Sequence, residues 1–391
     1  MPESIEKEIL FVSHKYPPAT GGMEKQSFEL IKGCSKYTKV HSLLYEKGKQ
    51  SLLAFFINLN SNILKLLKQH PAIQVIHFND GLIASLASYH KGYRDIPKVI
   101  TLHGLDVVFP LPYFQNKILP RFNQFEKIIT VSQATAQAAL ERGIDPGKLL
   151  IIKNGVDHQL ACPLNATMED LYLRYPKLQP GKKTLITIGR AVKRKGFSWL
   201  LKEVVPHLSD EYQLLMIGPY EHKINRLEKL IRLLPKKLQR LLVLFLGFPS
   251  DQQEIRHLLQ SEHVSNRVQH LGKIPFADLQ ILLANSTAFL MPNIRQQGDM
   301  EGFGLVCLEA SLSGTLVLAA NIDGITDAVQ HQKNGILLPS ESPQEWIKQL
   351  QDILLRPGDY KEKAQTYKTF TQQEYGWDKM VRQYMTVFKN M

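Results

Sequence analysis

Cysteine is scarce in this sequence: Cys34, Cys162 and Cys307 are all that its 391 residues contain. No two of them share metal-ligand spacing, and three thiols make no disulfide framework, so nothing points to an oxidising compartment. Cys307 sits in an apolar run and reads as a core residue. Long apolar runs are missing too. None approaches the roughly 18 residues a spanning helix needs. The start, Met-Pro-Glu-Ser-Ile-Glu-Lys-Glu, is charged where a secretory signal would be apolar. A cytoplasmic chain is therefore expected. A G-x-G-x-x-G fingerprint and a Walker A loop are both absent, which argues against a dinucleotide site and a phosphate-loop ATPase. There is no Asp-x-Asp, and Asp299-Met-Glu301 is the only closely spaced carboxylate pair suited to a divalent ion, so no essential metal is expected. Acid is in short supply as well. Against 48 Lys and Arg stand 36 Asp and Glu, a formal charge of +12. Such a balance favours anionic partners: nucleotides, nucleic acid or an acidic membrane face. RNP-like aromatics, zinc-finger spacing and a helix-turn-helix are all lacking, which disfavours nucleic acid.

What is present is a repeated alternation. Apolar runs at 8–13, 39–44, 74–78, 98–102, 127–131 and 149–153 are separated by helical stretches. A second series follows a break rich in Pro and Gly at 163–181, with runs at 184–188, 213–217, 242–246, 268–272, 287–291, 316–320 and 334–338. Strands alternating with helices imply an α/β chain with parallel sheets, and this length implies two domains. In such sheets ligands bind beyond the C-terminal strand ends. The polar residues found there are Asn79-Asp80, His103-Gly104-Leu-Asp106, Ser132 and Asn154-Gly155.

The densest stretch is Gly298-Asp-Met-Glu-Gly-Phe-Gly-Leu-Val-Cys-Leu-Glu-Ala310. Leu305 to Leu312 reads as a buried helix that Gly314 stops. Gly302 and Gly304 then lie at its start, where unpaired N–H groups and the positive dipole end gather. Glycine there lets a phosphate or polyol approach the backbone. Glu301 just before the helix and Glu309 within it can meet different parts of one ligand; each also suits an ordinary solvated or dipole-facing role. Arg190 and Lys195, between Gly189 and Gly196, offer a planar fork and a point charge suited to a diphosphate. A plain surface cluster uses the same residues. His103 can meet a sugar hydroxyl or simply hold a turn. With Asp106 it lacks the further His or Cys that a metal site needs. Pro17-Pro18-Ala-Thr-Gly21-Gly22 between a strand and a helix can approach a phosphate, or be only a turn. Residues 51–70 are apolar with a few lysines, either a core helix or one lying on an anionic membrane. The lysines and arginines of 221–240 read as a solvated helix face.

Taken in order these residues form a pattern. Pro17-Pro18-x-x-Gly21-Gly22-Met23-Glu24, His103-Gly104-x-Asp106, Val131-Ser132, Asn154-Gly155-Val156-Asp157, Gly189-Arg190 with Lys195-Gly196, Leu271-Gly272-Lys273-Ile274-Pro275, Glu301-Gly-Phe-Gly-Leu-x-x-x-Glu309-Ala310, Gly324-Ile325-x-Asp327-Ala328-Val329 and Asn334-Gly335 all stand in sequence. The chain resembles glycosyltransferase family 4, the retaining sugar-nucleotide transferases of the GT-B fold, over nearly its whole length. At Asp327 the family more often has Glu. The resemblance implies two Rossmann-like domains facing each other across a cleft, an acceptor domain at 1–170 and a donor domain at 171–373. The C-terminal helix, 374–391, should cross back to the first domain. It implies a hexosyltransferase that needs no metal or other cofactor. A UDP- or GDP-linked sugar would be the donor, and a saccharide or lipid-linked acceptor, such as a glycolipid or lipopolysaccharide precursor, would receive the hexosyl group. Arg190 and Lys195 should neutralise the donor diphosphate, helped by backbone at Gly22. Glu309 should take the ribose. Glu301 and the backbone of Phe303, Gly304 and Leu305 should hold the donor sugar, with His103 near it. The base should pack by Lys273 and Ile274. The acceptor hydroxyl would enter on the leaving-group face, with a donor phosphate oxygen taking its proton. A nucleotide-sugar hydrolase or epimerase of the same fold, and a non-catalytic module docking on membranes, stand as alternatives. A peripheral position on the inner membrane face is a further expectation.

Overall fold

Residues 9–12 show why the first sheet forms. Ile9 and Phe11 enter one core cluster and Leu10 and Val12 another, and all four are fully buried. Alternate residues of a strand face opposite ways, so this strand is covered on both faces, as parallel sheets usually are. The structure is a computed structural model describing residues 7–161, 167–220, 230–231, 233–246 and 250–391. The first sheet contains β1 (Glu8–Ser13), β2 (Val40–Leu44), β3 (Ile73–Phe78), β4 (Lys98–Leu102), β5 (Lys127–Thr130) and β6 (Leu149–Ile151). All pair in parallel, in the order β2-β1-β3-β4-β5-β6. The second contains β7 (Lys183–Ile188), β8 (Tyr212–Ile217), β9 (Val268–Gly272), β10 (Ala288–Met291), β11 (Leu316–Ala320) and β12 (Ile336–Leu338). Its order, also parallel, is β12-β11-β10-β7-β8-β9.

The chain divides into two units. One takes Met1–Val156, Met300–Leu305 and Tyr375–Met391; the other takes Asp157–Asp299 and Val306–Glu374. The first crossing falls at 156, and a six-residue piece around Glu301 joins the first unit. In that unit α1 (Gly22–Cys34) and the C-terminal helix Trp377–Lys389 cover one face of the sheet. Leu30, Ile31 and Cys34 meet Val381, Tyr384 and Phe388 over Ile9, Phe11, Val75 and Val99. Lys7 Nζ reaches the carbonyl of Met391 at 2.7 Å. The other face is covered in part by α2 (Leu52–Ile57), α3 (Leu59–Gln69) and α4 (Gly81–Ala87), through Phe55, Leu59, Ile63, Ile83 and Ala84. The single apolar segment expected at 51–70 is thus two helices, joined at Asn58. Phe55, Leu59 and Ile63 recur at helical spacing and are fully buried.

One strand expectation fails. Residues 242–246 were expected as a strand and belong to the helix Lys236–Leu246. A short apolar run cannot separate strand from helix by itself. Here Leu238, Leu241 and Leu242 continue it backwards at helical spacing, and β8 already pairs with β9. Half of the basic stretch 221–240, including Lys223, Arg226, Lys229 and Arg232, lies outside the described residues, as does Cys162. Cys34 and Cys307 are buried thiols, as their apolar neighbours suggested for Cys307.

Candidate active site

A parallel sheet binds ligands where neighbouring strands send their chains to opposite sides. In the first sheet that point lies between β1 and β3, and in the second between β7 and β10. Each crevice is lined by the loops leaving its two central strands.

In the first unit, β4 ends at Leu102 and His103 follows. Its N–H donates to Asp106 Oδ1 at 2.8 Å. Its ring Nε2 lies 2.8 Å from the Asn79 carbonyl. A carbonyl only accepts, so Nε2 carries a proton. Asp106 also takes the Gly81 N–H at 3.1 Å. Burial pushes its carboxyl above the usual value, against the opposing pull of His103 and the two N–H groups. Across the crevice, His14 Nδ1 meets Asp80 Oδ2 at 2.8 Å. Asp80 Oδ1 also caps Ile83 N at 3.0 Å. Burial alone would raise Asp80; the charge and hydrogen bond of His14, with the Ile83 N–H, overcome it and hold the carboxyl below its ordinary value. Beneath lies a polar chain. His77 Nε2 meets Thr101 Oγ1 at 2.9 Å, and Thr101 Oγ1 meets Tyr384 OH at 2.9 Å. Gln26 donates to Tyr384 OH at 3.3 Å and accepts from Asn79 Nδ2 at 3.0 Å. Burial, with His103 nearby, depresses His77 to about 3.

The piece 300–305 joins this crevice through its backbone. A Cβ on Gly302 would fall inside the carbonyl oxygen of His103, so only glycine allows the approach. Gly22, the first residue of α1, lies against Leu305, with 3.3 Å between its built Cβ and Leu305 Cδ1. Phe303 and Gly304 are buried, and Glu301 is half-buried. His103, Gly22, Glu301, Phe303, Gly304 and Leu305 thus fall in one unit.

Arg190, Lys195, Lys273, Ile274 and Glu309 fall in the other. The loop after β7 is built to be rigid. Gly196 adopts φ 66°, and a side chain there would strike the Pro292 carbonyl. Ile294 N–H donates to the Arg194 carbonyl at 2.9 Å. Arg194 Nε pairs with Asp299 Oδ1 at 3.3 Å. Lys193 pairs with Asp251 at 2.7 Å and with Glu254. Asp251, fully buried, also accepts from Ser198 N at 2.9 Å and Ser198 Oγ at 2.6 Å. The loops after β7 and β10 are therefore stitched together at the sheet's crevice. Arg190 is exposed and Lys195 half-buried, its stem lying along Gly189. Glu309 is half-buried on the helix Leu305–Leu312, and its carbonyl accepts from Ser313 Oγ at 2.9 Å. Lys273 and Ile274 form the turn after β9.

Two expected polar positions are structural. Ser132 caps the helix Gln133–Leu140 by accepting from Thr135 N at 3.1 Å, and Gly155 backs onto Gly376-Trp377. Asp299 is engaged by Arg194, and no cluster of three or more metal-ligating side chains occurs among the described residues. The sequence reading missed the His14–Asp80 pair and the stacked rings of Tyr220 and His270, whose centroids lie 4.1 Å apart beyond β8 and within β9. Each joins residues far apart in the chain. A histidine directly after the first strand was the one available hint.

Residues 172–373, just over half the chain, match the family described as Glycosyl transferases group 1, and residues 14–160 match Glycosyltransferase Family 4. The chain belongs to this family. Among the relatives of this family 4 glycosyltransferase is a D-inositol 3-phosphate glycosyltransferase of Jonesia denitrificans, 36% identical over 37% of the chain and 32% of that protein. Another is a GDP-mannose-dependent alpha-(1-6)-phosphatidylinositol monomannoside mannosyltransferase of Mycobacterium tuberculosis, 23% identical over 85% of the chain and 86% of that protein. The chain spans 32%, 45% and 63% of the length of three curated relatives. Of solved structures, Anabaena Alr3699/HepE in complex with UDP-glucose matches with a TM-score of 0.74 and 18% identity, over 98% of this chain and all of that one. A cyanobacterial sucrose-phosphate synthase, from Thermosynechococcus elongatus, matches with a TM-score of 0.73 and 18% identity, over 98% and 99%. The family 4 glycosyltransferase therefore has the GT-B fold, with two Rossmann-like units.

Proposed function

We propose that the protein is a retaining hexosyltransferase that moves a sugar from a nucleoside diphosphate donor, UDP- or GDP-linked, to a saccharide or lipid-linked acceptor. The observation that carries this reading is the braced cationic loop after β7. Lys193 and Arg194 are tied to acidic partners, and the scaffold they form presents Arg190 and Lys195 beside the switch point of the second sheet. Negative charge grows on the diphosphate as the sugar bond breaks. Fixed cations stabilise that charge more in the transition state than before it. Glu309 is suited to the ribose, and the turn at Lys273-Ile274 to the base. On the first unit, Glu301 and the backbone at 303–305 would serve the donor sugar, with His103 beside it. The acceptor hydroxyl enters on the leaving-group face and gives its proton to a donor phosphate oxygen, so no side chain need act as general base.

The relative that is named GDP-mannose-dependent and the neighbour solved with UDP-glucose support a nucleotide sugar as donor. The test is turnover of UDP-glucose, UDP-N-acetylglucosamine and GDP-mannose, each with and without octyl glycosides as acceptors. Transfer that depends on acceptor supports the reading. Free sugar released at the same rate without acceptor would instead mark a hydrolase.

A lipid-linked acceptor has its own support. Leu53 and Ile57 on α2 are 69% and 72% exposed, and Lys47, Lys49, Lys65 and Lys68, which flank them in the chain, are exposed too. Exposed apolar side chains flanked by lysines suit an anionic bilayer. No helix among the described residues is long and apolar enough to cross a membrane. Sedimentation with phosphatidylglycerol vesicles, strong at low salt and weaker in Leu53→Ser/Ile57→Ser, is the expected result. No binding at any salt concentration removes the membrane from the proposal.

A further inference from the structure

His14 lines the first unit's crevice without a role so far, yet its position and partner are those of a working group. It follows β1 directly, and Asp80 follows β3 by two residues, so the pair spans the switch point of the first sheet. Both side chains are withdrawn from water, at 8% and 2% exposure. The hydrogen bond between them is 2.8 Å long. Asp80 is itself fixed by the Ile83 N–H, and the His14 ring rests edge-on against Phe56 at 5.6 Å. A carboxylate accepts from imidazole, so Nδ1 carries a proton, and in the neutral ring Nε2 keeps its lone pair. Among the described residues nothing bonds Nε2, and it is not one of the sealed, partnerless atoms. The arrangement is a held ring with one bare acceptor nitrogen at the crevice of the unit that does not carry the cationic loop.

We infer that His14, oriented by Asp80, is a binding residue for the sugar acceptor: Nε2 accepts a hydrogen bond from an acceptor hydroxyl. This rests on the transferase reading and deepens it. The ligand must donate, which suits a hydroxyl. An anionic group is disfavoured by the Asp80 carboxylate behind the ring. Asp80 acts as a positioning residue, because it selects the tautomer.

Two measurements test this. Long-range proton–nitrogen spectra of histidine-labelled protein should show His14 protonated on Nδ1 and bare on Nε2. The Nε2 signal should move when octyl glucoside is added. A ring protonated on Nε2, or a signal indifferent to octyl glucoside, overturns the inference and leaves the transferase reading standing. In kinetics, His14→Asn keeps a donor for Asp80 and removes the far nitrogen. With whichever donor and octyl glycoside the wild type turns over, KM for the acceptor should rise about tenfold while KM for the donor stays within about twofold. His14→Gln, whose amide oxygen reaches the place of Nε2, should recover part of the acceptor affinity. An unchanged acceptor KM in His14→Asn overturns the inference. So does a parallel rise for donor and acceptor with a lowered melting temperature, which marks a purely structural pair. Absence of transfer by the wild type itself refutes the reading beneath, and the spectra still decide the tautomer.

Discussion

The two sheets open at different strand pairs and carry opposite chemistry. The first opens between β1 and β3 and is lined by histidines paired with or beside carboxylates, His14 with Asp80 and His103 with Asp106. The second opens between β7 and β10 and is lined by cations on a braced loop. One architecture therefore provides two crevices, and side-chain charge decides what each can take. A histidine held by a carboxylate offers a ring nitrogen and suits hydroxyls. A loop of arginine and lysine suits a polyanion. The fold gives the place and the residues give the ligand class.

The largest expected effect breaks the cationic side. Lys195→Ala should lower kcat/KM by about thirtyfold or more, about 2 kcal/mol of transition-state stabilisation, with an unchanged melting temperature. Unchanged steady-state kinetics would remove the diphosphate from that loop. Next comes the backbone contact on the other side. Gly302→Ala drives a methyl into the His103 carbonyl, and neither backbone can move aside cheaply. A loss of about 2 kcal/mol in chemical denaturation is expected. Wild-type stability would show that this approach is looser than described.

A smaller effect is visible only against pH. His77 is held neutral by burial down to about 3, whereas an ordinary histidine titrates near 6.5. The unfolded chain thus binds this proton first as pH falls. The contribution of His77 is complete above about 6.5, and it declines steadily as pH drops towards 3. His77→Gln should flatten the fall in melting temperature between neutral and acid pH; parallel curves for the two proteins would contradict this. The smallest effect is a control outside both crevices. Lys36 and Asp378 pair at 3.5 Å with more than half of each side chain exposed. Lys36→Ala should change stability by no more than about 0.5 kcal/mol.

Much of this was legible in the sequence, for physical reasons. A buried parallel strand must be apolar throughout, so runs such as 98–102 announced themselves, and the glycines around Glu301 marked a place where backbone is approached closely. The run at 242–246 misled because five apolar residues fit either period. Pairings across the fold were the least visible. His14 and Asp80 stand 66 positions apart, and nothing local to either predicts the other. Equally hidden were the acidic partners of Lys193 and Arg194. Nothing local to the loop predicts Asp251, Glu254 or Asp299, which lie about 60 to 105 positions further along the chain.

The helix Trp377–Lys389 carries a consequence for how the protein is made. Phe11, Val75 and Val99 have only α1 for cover until that helix has been synthesised, although their own strands are complete hundreds of residues earlier. The second unit, encoded between them, has every piece of its core in hand first. On a ribosome the later unit can thus mature while the earlier one waits with a half-covered apolar sheet face, a state in which chains readily aggregate. A fragment ending at 156 would keep that state permanently, and supplying the missing helix as a separate peptide is the direct way to rescue it.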